Sequence, residues 1–223
     1  MLCLSYPLGA RTPAYGNGTG AVITPDKQMC NGDSCNTATL SFSNHLGTHV
    51  DCPSHFKQDG ETLTDYAHDF WFCSPVQVLR IPLKDAEVCT QEHLEFALDV
   101  AEIVEPNAKA VLIVTGWHAR RHEENYWKSP PGFHPEMSDW LRNQFPKIRF
   151  LGFDVISLSS FAHRDIGRAA HRAFLNHSFP VMVLEDMNLE PVGQETILNN
   201  MLVSPLFIDK LDGAPCTIWA NLG

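Results

Sequence analysis

The sequence predicts a mixed α/β fold. Two observations carry that expectation: short apolar runs of strand length recur along the chain, and segments with helical spacing separate them. The 223 residues suffice for one substantial core or at most two small ones. No internal repeat or low-complexity tract divides them, so residues 1–223 are read as one domain.

In chain order, residues 5 to 36 are rich in Pro, Gly, Asn and Asp and read as loop with short strand, Tyr15-Gly16-Asn17-Gly18 being a turn. Thr37 to Ser43 alternates as a strand, and Tyr66 to Phe72 is aromatic-rich. Val76 to Ile81 is a buried strand ended by Pro82. Thr90 is placed to cap a helix over about Gln91 to Val100, where Leu94, Ala97 and Leu98 have helical spacing. Ala110 to Thr115 is the clearest buried strand and ends at Gly116-Trp117; His118 to Pro131 reads as an exposed polar excursion. Pro135 to Phe145 is a second helix with Trp140 and Leu141 inward, and Arg149 to Phe153 a strand ending at Asp154. Asp165 is placed to cap a helix over Ile166 to Asn176. Val181 to Leu184 is a buried strand running into Glu185, and Pro205 to Ile208 and Cys216 to Ala220 are the last strand candidates.

A formal net charge of −10 disfavours nucleic acid and anionic membrane as partners. No run approaches a membrane span, and Met1 to Pro7 lacks the basic region and long apolar core of a signal peptide. Seven scattered cysteines without a C-x-x-C pair read as reduced thiols of a cytoplasmic chain. The P-loop, the G-x-G-x-x-G fingerprint and the G-x-S-x-G elbow are all absent.

The chemistry concentrates between His45 and Phe56. His45, His49, Asp51 and His55 place three imidazoles and a carboxylate within eleven residues, the donor types a borderline divalent ion selects. All four share one parity, but a flat strand would hold His45 and His49 about 13 Å apart. A regular helix is disfavoured by Gly47 and Pro53. The segment is therefore expected to be irregular and tightly curved, bent at Gly47 and stiffened at Pro53. His171, on the helix after Asp165, and Glu185, at a strand end, are distant complements. His163 and His177 are the substitutes for His171, and the remaining histidines read as solvated. Tyr15, Phe70, Trp71 and Trp117 are candidates to line an aromatic-accepting pocket, with core packing the competing role for Phe70 and Trp71.

His45-Leu46-Gly47-Thr48-His49-Val50-Asp51-Cys52-Pro53-Ser54-His55-Phe56 resembles the H-x-G-T-H-x-D-x-P-x-H-F signature of the cyclase family of metal-dependent hydrolases, which includes bacterial kynurenine formamidases and isatin hydrolases. Leu4 to Leu8 with Thr12 to Tyr15, Thr115-Gly116-Trp117, Ala170-His171-Arg172 and Leu184 to Leu189 are similar to further stretches of that family. The sequence departs from the pattern at Cys52, where Ala is common, at Tyr15, where formamidases carry Trp, and in a longer segment between His171 and Glu185.

The resemblance implies a β-barrel-like core with flanking helices, of the swivelling β/β/α type, assembled as a homodimer or homotetramer. It implies His45, His49, Asp51, His171 and Glu185 as ligands of one or two divalent ions, Zn or Mn, and His55 as the catalytic acid/base. Tyr15 and Trp117 would then contact a small-molecule substrate. The implied reaction is arylformamidase-like hydrolysis of a small amide, cyclic amide or lactone by a metal-activated water. Isatin hydrolase-like ring opening, a metal-assisted cyclase or dehydratase, and a non-catalytic metal-binding role are the alternatives.

Overall fold

Alternation along the strands sorts the side chains into two cores, and the site lies on one face of that sorting. The computed structural model describes residues 1–223. Its strands are β1 (Leu2–Cys3), β2 (Val22–Lys27), β3 (Thr37–Ser41), β4 (His49–Asp51), β5 (Phe72–Cys73), β6 (Val76–Arg80), β7 (Val88–Cys89), β8 (Ala110–Val114), β9 (Gly132–Phe133), β10 (Phe150–Phe153), β11 (Met182–Glu185), β12 (Leu198–Pro205) and β13 (Gly213–Leu222). The helices are α1 (Gln91–Asp99), α2 (Asn125–Lys128), α3 (Met137–Gln144) and α4 (Arg164–Leu175).

The main sheet runs β5-β12-β13-β4-β11-β10-β8-β6, with β1 also paired to β13. β6, β8, β10 and β11 are mutually parallel, and β4 joins them to β13 through two antiparallel pairings. β12 returns beside β6, so the sheet curls into a nearly closed barrel. Within β8, Ala110 and Leu112 point into the barrel while Val111 and Ile113 point out; in β11, Met182 and Leu184 point in and Val183 points out. The outward face is covered by α1, α3 and α4 through Leu94, Met137, Leu141, Ala170 and Phe174. Leu94, Met137, Leu141 and Phe174, fully buried, contribute about 1.5–3 kcal/mol each. The expected mixed α/β fold with a barrel-like core and flanking helices is the one observed.

Three local expectations are corrected. Asp165 does not cap α4: His163 holds that position, and Asp165 sits exposed in the first turn beside Arg168. The strand expected over Pro205 to Ile208 lies earlier, over Leu198–Pro205, because the ladder with β13 ends where Pro205 faces Cys216. The excursion after Trp117 is only partly exposed. Arg121 and Tyr126 are buried, donating to the Asp186 carboxylate from Arg121 Nε at 2.8 Å, Arg121 Nη2 at 2.6 Å and the Tyr126 hydroxyl at 2.5 Å.

Candidate metal centre and active site

β4 is only three residues long, and its alternation makes the site. Val50 points into the barrel, so His49 and Asp51 point the other way. Its register with β11 sets His49 opposite Glu185 and Val50 opposite Leu184, which puts Glu185 on the same face. α4 lies over that face. Gly167, Ala170, His171, Phe174 and Leu175 form its buried stripe, and His171 is the one polar side chain on it long enough to reach the strands. Gly47 makes the bend the sequence implied. At φ +68°, a conformation that favours glycine, it turns the chain between His45 and His49, and a Cβ there would press on the Leu8 and Thr12 side chains at 3.2 Å.

Four side chains close into a ring. His49 Nε2 lies 3.3 Å from Asp51 Oδ1 and 3.4 Å from Glu185 Oε2. His171 Nε2 lies 3.5 Å from Asp51 Oδ2 and 3.3 Å from Glu185 Oε1. All four residues are buried. The imidazoles are oriented from behind: His49 Nδ1 donates to the Gly47 carbonyl at 2.8 Å and His171 Nδ1 to the Gly167 carbonyl at 2.9 Å. Each neutral ring therefore turns the lone pair of Nε2 toward carboxylate oxygens. Acceptor would face acceptor, and Asp51 Oδ2 has no hydrogen-bond donor at all.

Protons or a metal ion would satisfy this arrangement. Burial disfavours the imidazolium, but hydrogen bonds and charge from Asp51 and Glu185 outweigh it, holding the His49 pKa well above 6.5 and raising that of His171 to about 10. Burial and the Asp51 charge would raise the Glu185 carboxyl, yet the two imidazoles bring it down to about 2. The donor spacing also fits an ion. One donor atom each of His49, Asp51 and Glu185 lie within 4.8 Å of one another, while His171 faces the other oxygen of each carboxylate. The backbone-held Nδ1 protons are the outer support such ligands usually have.

A second group adjoins the ring. His45 Nδ1 is 2.8 Å from Asp51 Oδ1 and its Nε2 is 3.1 Å from Asp212 Oδ2. His55 Nδ1 is 2.8 Å from the same Asp212 oxygen, and the His45 and His55 rings are 4.1 Å apart. Donor atoms of His45, Asp51 and His55 lie within 4.8 Å of one another, so Asp51 belongs to both groups. Burial opposes the charged form of His45, but Asp212 and Asp51 raise its pKa to about 9. Hydrogen bonds from His45 and His55 hold the Asp212 carboxyl well below its ordinary range.

The family model described as "Putative cyclase" matches residues 2–160, most of the chain. The chain belongs to the Cyclase family. It is 27% identical over 183 residues to the kynurenine formamidase of Bacillus anthracis, covering 82% of this chain and 78% of that protein. Its fold matches isatin hydrolase A from Labrenzia aggregata bound to benzyl benzoate, with a TM-score of 0.82 at 20% identity, covering 100% of this chain and 93% of that one. It also matches "The Structure Of Potential Metal-Dependent Hydrolase With Cyclase Activity", with a TM-score of 0.72 at 17% identity, covering 97% and 95%. The two structural likenesses establish a shared fold.

In this Cyclase family chain the ring opens into a cavity of about 390 Å³. Tyr15 lines it, as do His45, His55 and Phe56, whose ring stacks on His171 at 4.6 Å. Trp117 does not. After β8 the chain folds into a short 3₁₀ turn that packs the indole into the core outside the barrel, away from the cavity. Phe70 and Trp71 pack with Tyr66 and Phe150 on the barrel side. His163 is exposed and His177 half-buried, and neither lines any part of the cavity. Cys52 is buried on the barrel side of β4, and all seven thiols are free.

Asp212 is the site residue that sequence reasoning missed. It immediately precedes β13, whose first residue Gly213 is paired with Asp51, and its carbonyl accepts from the Cys52 N–H at 2.8 Å. A Cβ on Gly213 would stand 2.5 Å from the Val50 carbonyl oxygen and 2.7 Å from the His45 ring, so only glycine lets the strands approach here. The available signal was an Asp-Gly step opening an apolar stretch.

Proposed function

We propose that this chain is a metal-dependent hydrolase of a small amide, cyclic amide or lactone, arylformamidase-like in its reaction. The observation that carries the reading is the ring of His49, Asp51, His171 and Glu185, with both imidazole Nε2 atoms and an unpartnered carboxylate oxygen directed inward. Family membership supports the same reading, as does the likeness to a kynurenine formamidase. One or two divalent ions would be held, Zn or Mn by donor type, with His45 and Asp51 offering the second position. When bound, such an ion polarises a carbonyl and makes water a nucleophile near neutral pH.

The chain's own residues supply the rest. Asp212 holds the Nδ1 proton of His55 and fixes its tautomer, leaving Nε2 to take a proton from water and return it to the leaving nitrogen or oxygen. Tyr15 and Phe56 flank the cavity where the acyl group would lie. No helix is long and apolar enough to cross a membrane. A small-molecule substrate, a cytoplasmic setting and assembly as a homodimer or homotetramer complete the proposal.

His55→Ala tests it, with metal content and rate measured on the same preparation. The expected result is full metal occupancy with kcat reduced about 10²–10⁴-fold, the usual contribution of a proton-transferring group. Loss of metal would make His55 a ligand, which its place in the second group allows. Retention of both metal and rate would remove it from the mechanism.

A further inference from the structure

Two arginines stand at the mouth of the cavity. Arg164 is the first residue of α4 and Arg168 follows one turn later; both line the pocket together with Tyr15. Arg164 has no carboxylate within ion-pair distance. Its guanidinium lies 3.9 Å over the ring of Phe161, which in turn meets Tyr15 edge-on at 5.7 Å. Arg168 pairs only with Asp165, 3.1 Å away, and those side chains are 55% and 98% exposed. Such a pair contributes little and exchanges readily for a better partner.

This placement runs against local electrostatics. The first turn of a helix favours anions, because the backbone N–H groups and the macrodipole present positive charge there. Arg164 adds a cation to that end, and Arg168 adds another one turn on. Residues that break a local rule beside a pocket are those to examine for function. The cavity wall itself is poor in apolar side chains, with Tyr15, Phe56 and Ile156 the main ones. A neutral aryl amide would leave Arg164 with its ring contact alone and Arg168 with its exposed ion pair alone. A planar carboxylate matches their donor geometry.

Resting on the hydrolase reading above, we propose that Arg164 and Arg168, with the Tyr15 hydroxyl, bind a carboxylate carried by the substrate. The substrate class is then an anionic amide or lactone, such as an N-acyl aminoaromatic acid. The covalent step is ordinary hydrolysis. Water oxygen bonds to the acyl carbon and the acyl C–N or C–O bond breaks. The leaving atom takes a proton, so no oxidant or reductant is required.

The test compares formanilide with 2- and 4-formamidobenzoate, the same aryl formamide without and with a carboxylate, on metal-loaded protein. Wild type is expected to prefer one of the anionic pair at least tenfold in kcat/KM. In Arg164→Gln/Arg168→Gln that preference collapses toward unity, through KM more than kcat. Arg172→Gln, on the exposed side of α4, retains it. Calorimetric titration with benzoate gives a readout independent of turnover: its Kd should weaken tenfold or more in the double variant. Both side chains are exposed, so thermal melts should match wild type. Formanilide hydrolysed as well as both acids, or an unchanged benzoate Kd in the double variant, overturns the carboxylate site and leaves the hydrolase reading standing. Arginine-dependent benzoate binding without hydrolysis of any of the three supports the carboxylate site and counts against the hydrolase reading.

Discussion

Glu185 and Asp186 are chain neighbours and both are buried carboxylates, yet they stand in opposite situations. Asp186 takes a left-handed backbone, φ +50°, that turns its side chain away from β11. There it receives two N–H bonds from Arg121 and one O–H bond from Tyr126. Its own carbonyl accepts from Thr48 at 2.5 Å, tying the turn to the strand that carries His49. Glu185 is anchored on one oxygen by the Leu158 N–H at 2.7 Å and the Ser157 hydroxyl at 3.2 Å. Its remaining capacity faces His49 and His171, which answer it only by taking up a second proton or by sharing a metal ion with it. Burial is common to both. What separates them is whether the protein itself satisfies the charge. A satisfied buried acid holds structure together, whereas one left with unmet capacity among other acceptors is arranged for something that binds.

If that distinction holds, damage on the two sides should look different. On the Glu185 side, His49→Ala should empty the site and lower kcat/KM roughly a thousandfold or more, the several kcal/mol a bound ion supplies. Elemental analysis is the direct readout, and stoichiometric metal in the variant would place the ion elsewhere. On the Asp186 side, Arg121→Met leaves a buried carboxylate without its counter-charge. The expected cost is about 3–5 kcal/mol of folding stability, seen as a lower urea midpoint. A shift under about 1 kcal/mol would mean that Tyr126 and solvent suffice for Asp186, and the contrast would weaken.

Which parts of this were legible beforehand follows from the range of the signals. The curved His45–His55 segment announces itself because its donors lie close together and Gly47 marks the bend. The β-strands at β8, β10 and β11 are legible as continuous apolar runs, since both faces of the sheet are covered. His171 is legible only as a candidate, since Arg168 and Arg172 flank it in sequence; its place on the buried stripe with Ala170 and Phe174 comes from the packing of α4. Asp212 and the Arg121–Asp186 clamp depend on strand register and on a left-handed turn, which are set by tertiary pairing and leave no periodic trace. Trp117 departs from the expectation because a strand end usually opens toward a site, and here a 3₁₀ turn folds the ring back into the core.

Asp212 lies between the two extremes, partly exposed and shared by His45 and His55. Asp212→Asn keeps the shape but loses the charge that orients His55. kcat should fall about 10–100-fold with metal content unchanged, the usual range for a supporting partner. Measured beside His55→Ala, the two losses should not add, because both act through one imidazole. Full additivity would give Asp212 a separate role.

The smallest effect concerns a third buried acid. Asp154 is fully buried and accepts from the Thr115 N–H and hydroxyl, the Gly116 N–H and the His118 ring at 2.6 Å. It resembles Asp186 in being satisfied, but one of its donors titrates. The hydrogen bond to Asp154, followed by burial acting in the opposite sense, leaves the His118 pKa raised above 6.5. A raised folded-state pKa means that the native protein holds the proton longer than the unfolded chain. The stabilisation is therefore complete below the unfolded value of about 6.5 and is lost as pH rises through the folded value. The stability gap between wild type and His118→Gln, measured by urea unfolding of metal-loaded protein, should be widest near pH 6 and narrow steadily toward pH 9. Metal loading matters because His45, His49 and His171 also have raised values in the free protein, and ligation removes their protons from the comparison. A gap that stays constant over this range would show that His118 contributes packing alone, and that Asp154 is held by its Thr115 and Gly116 donors at every pH.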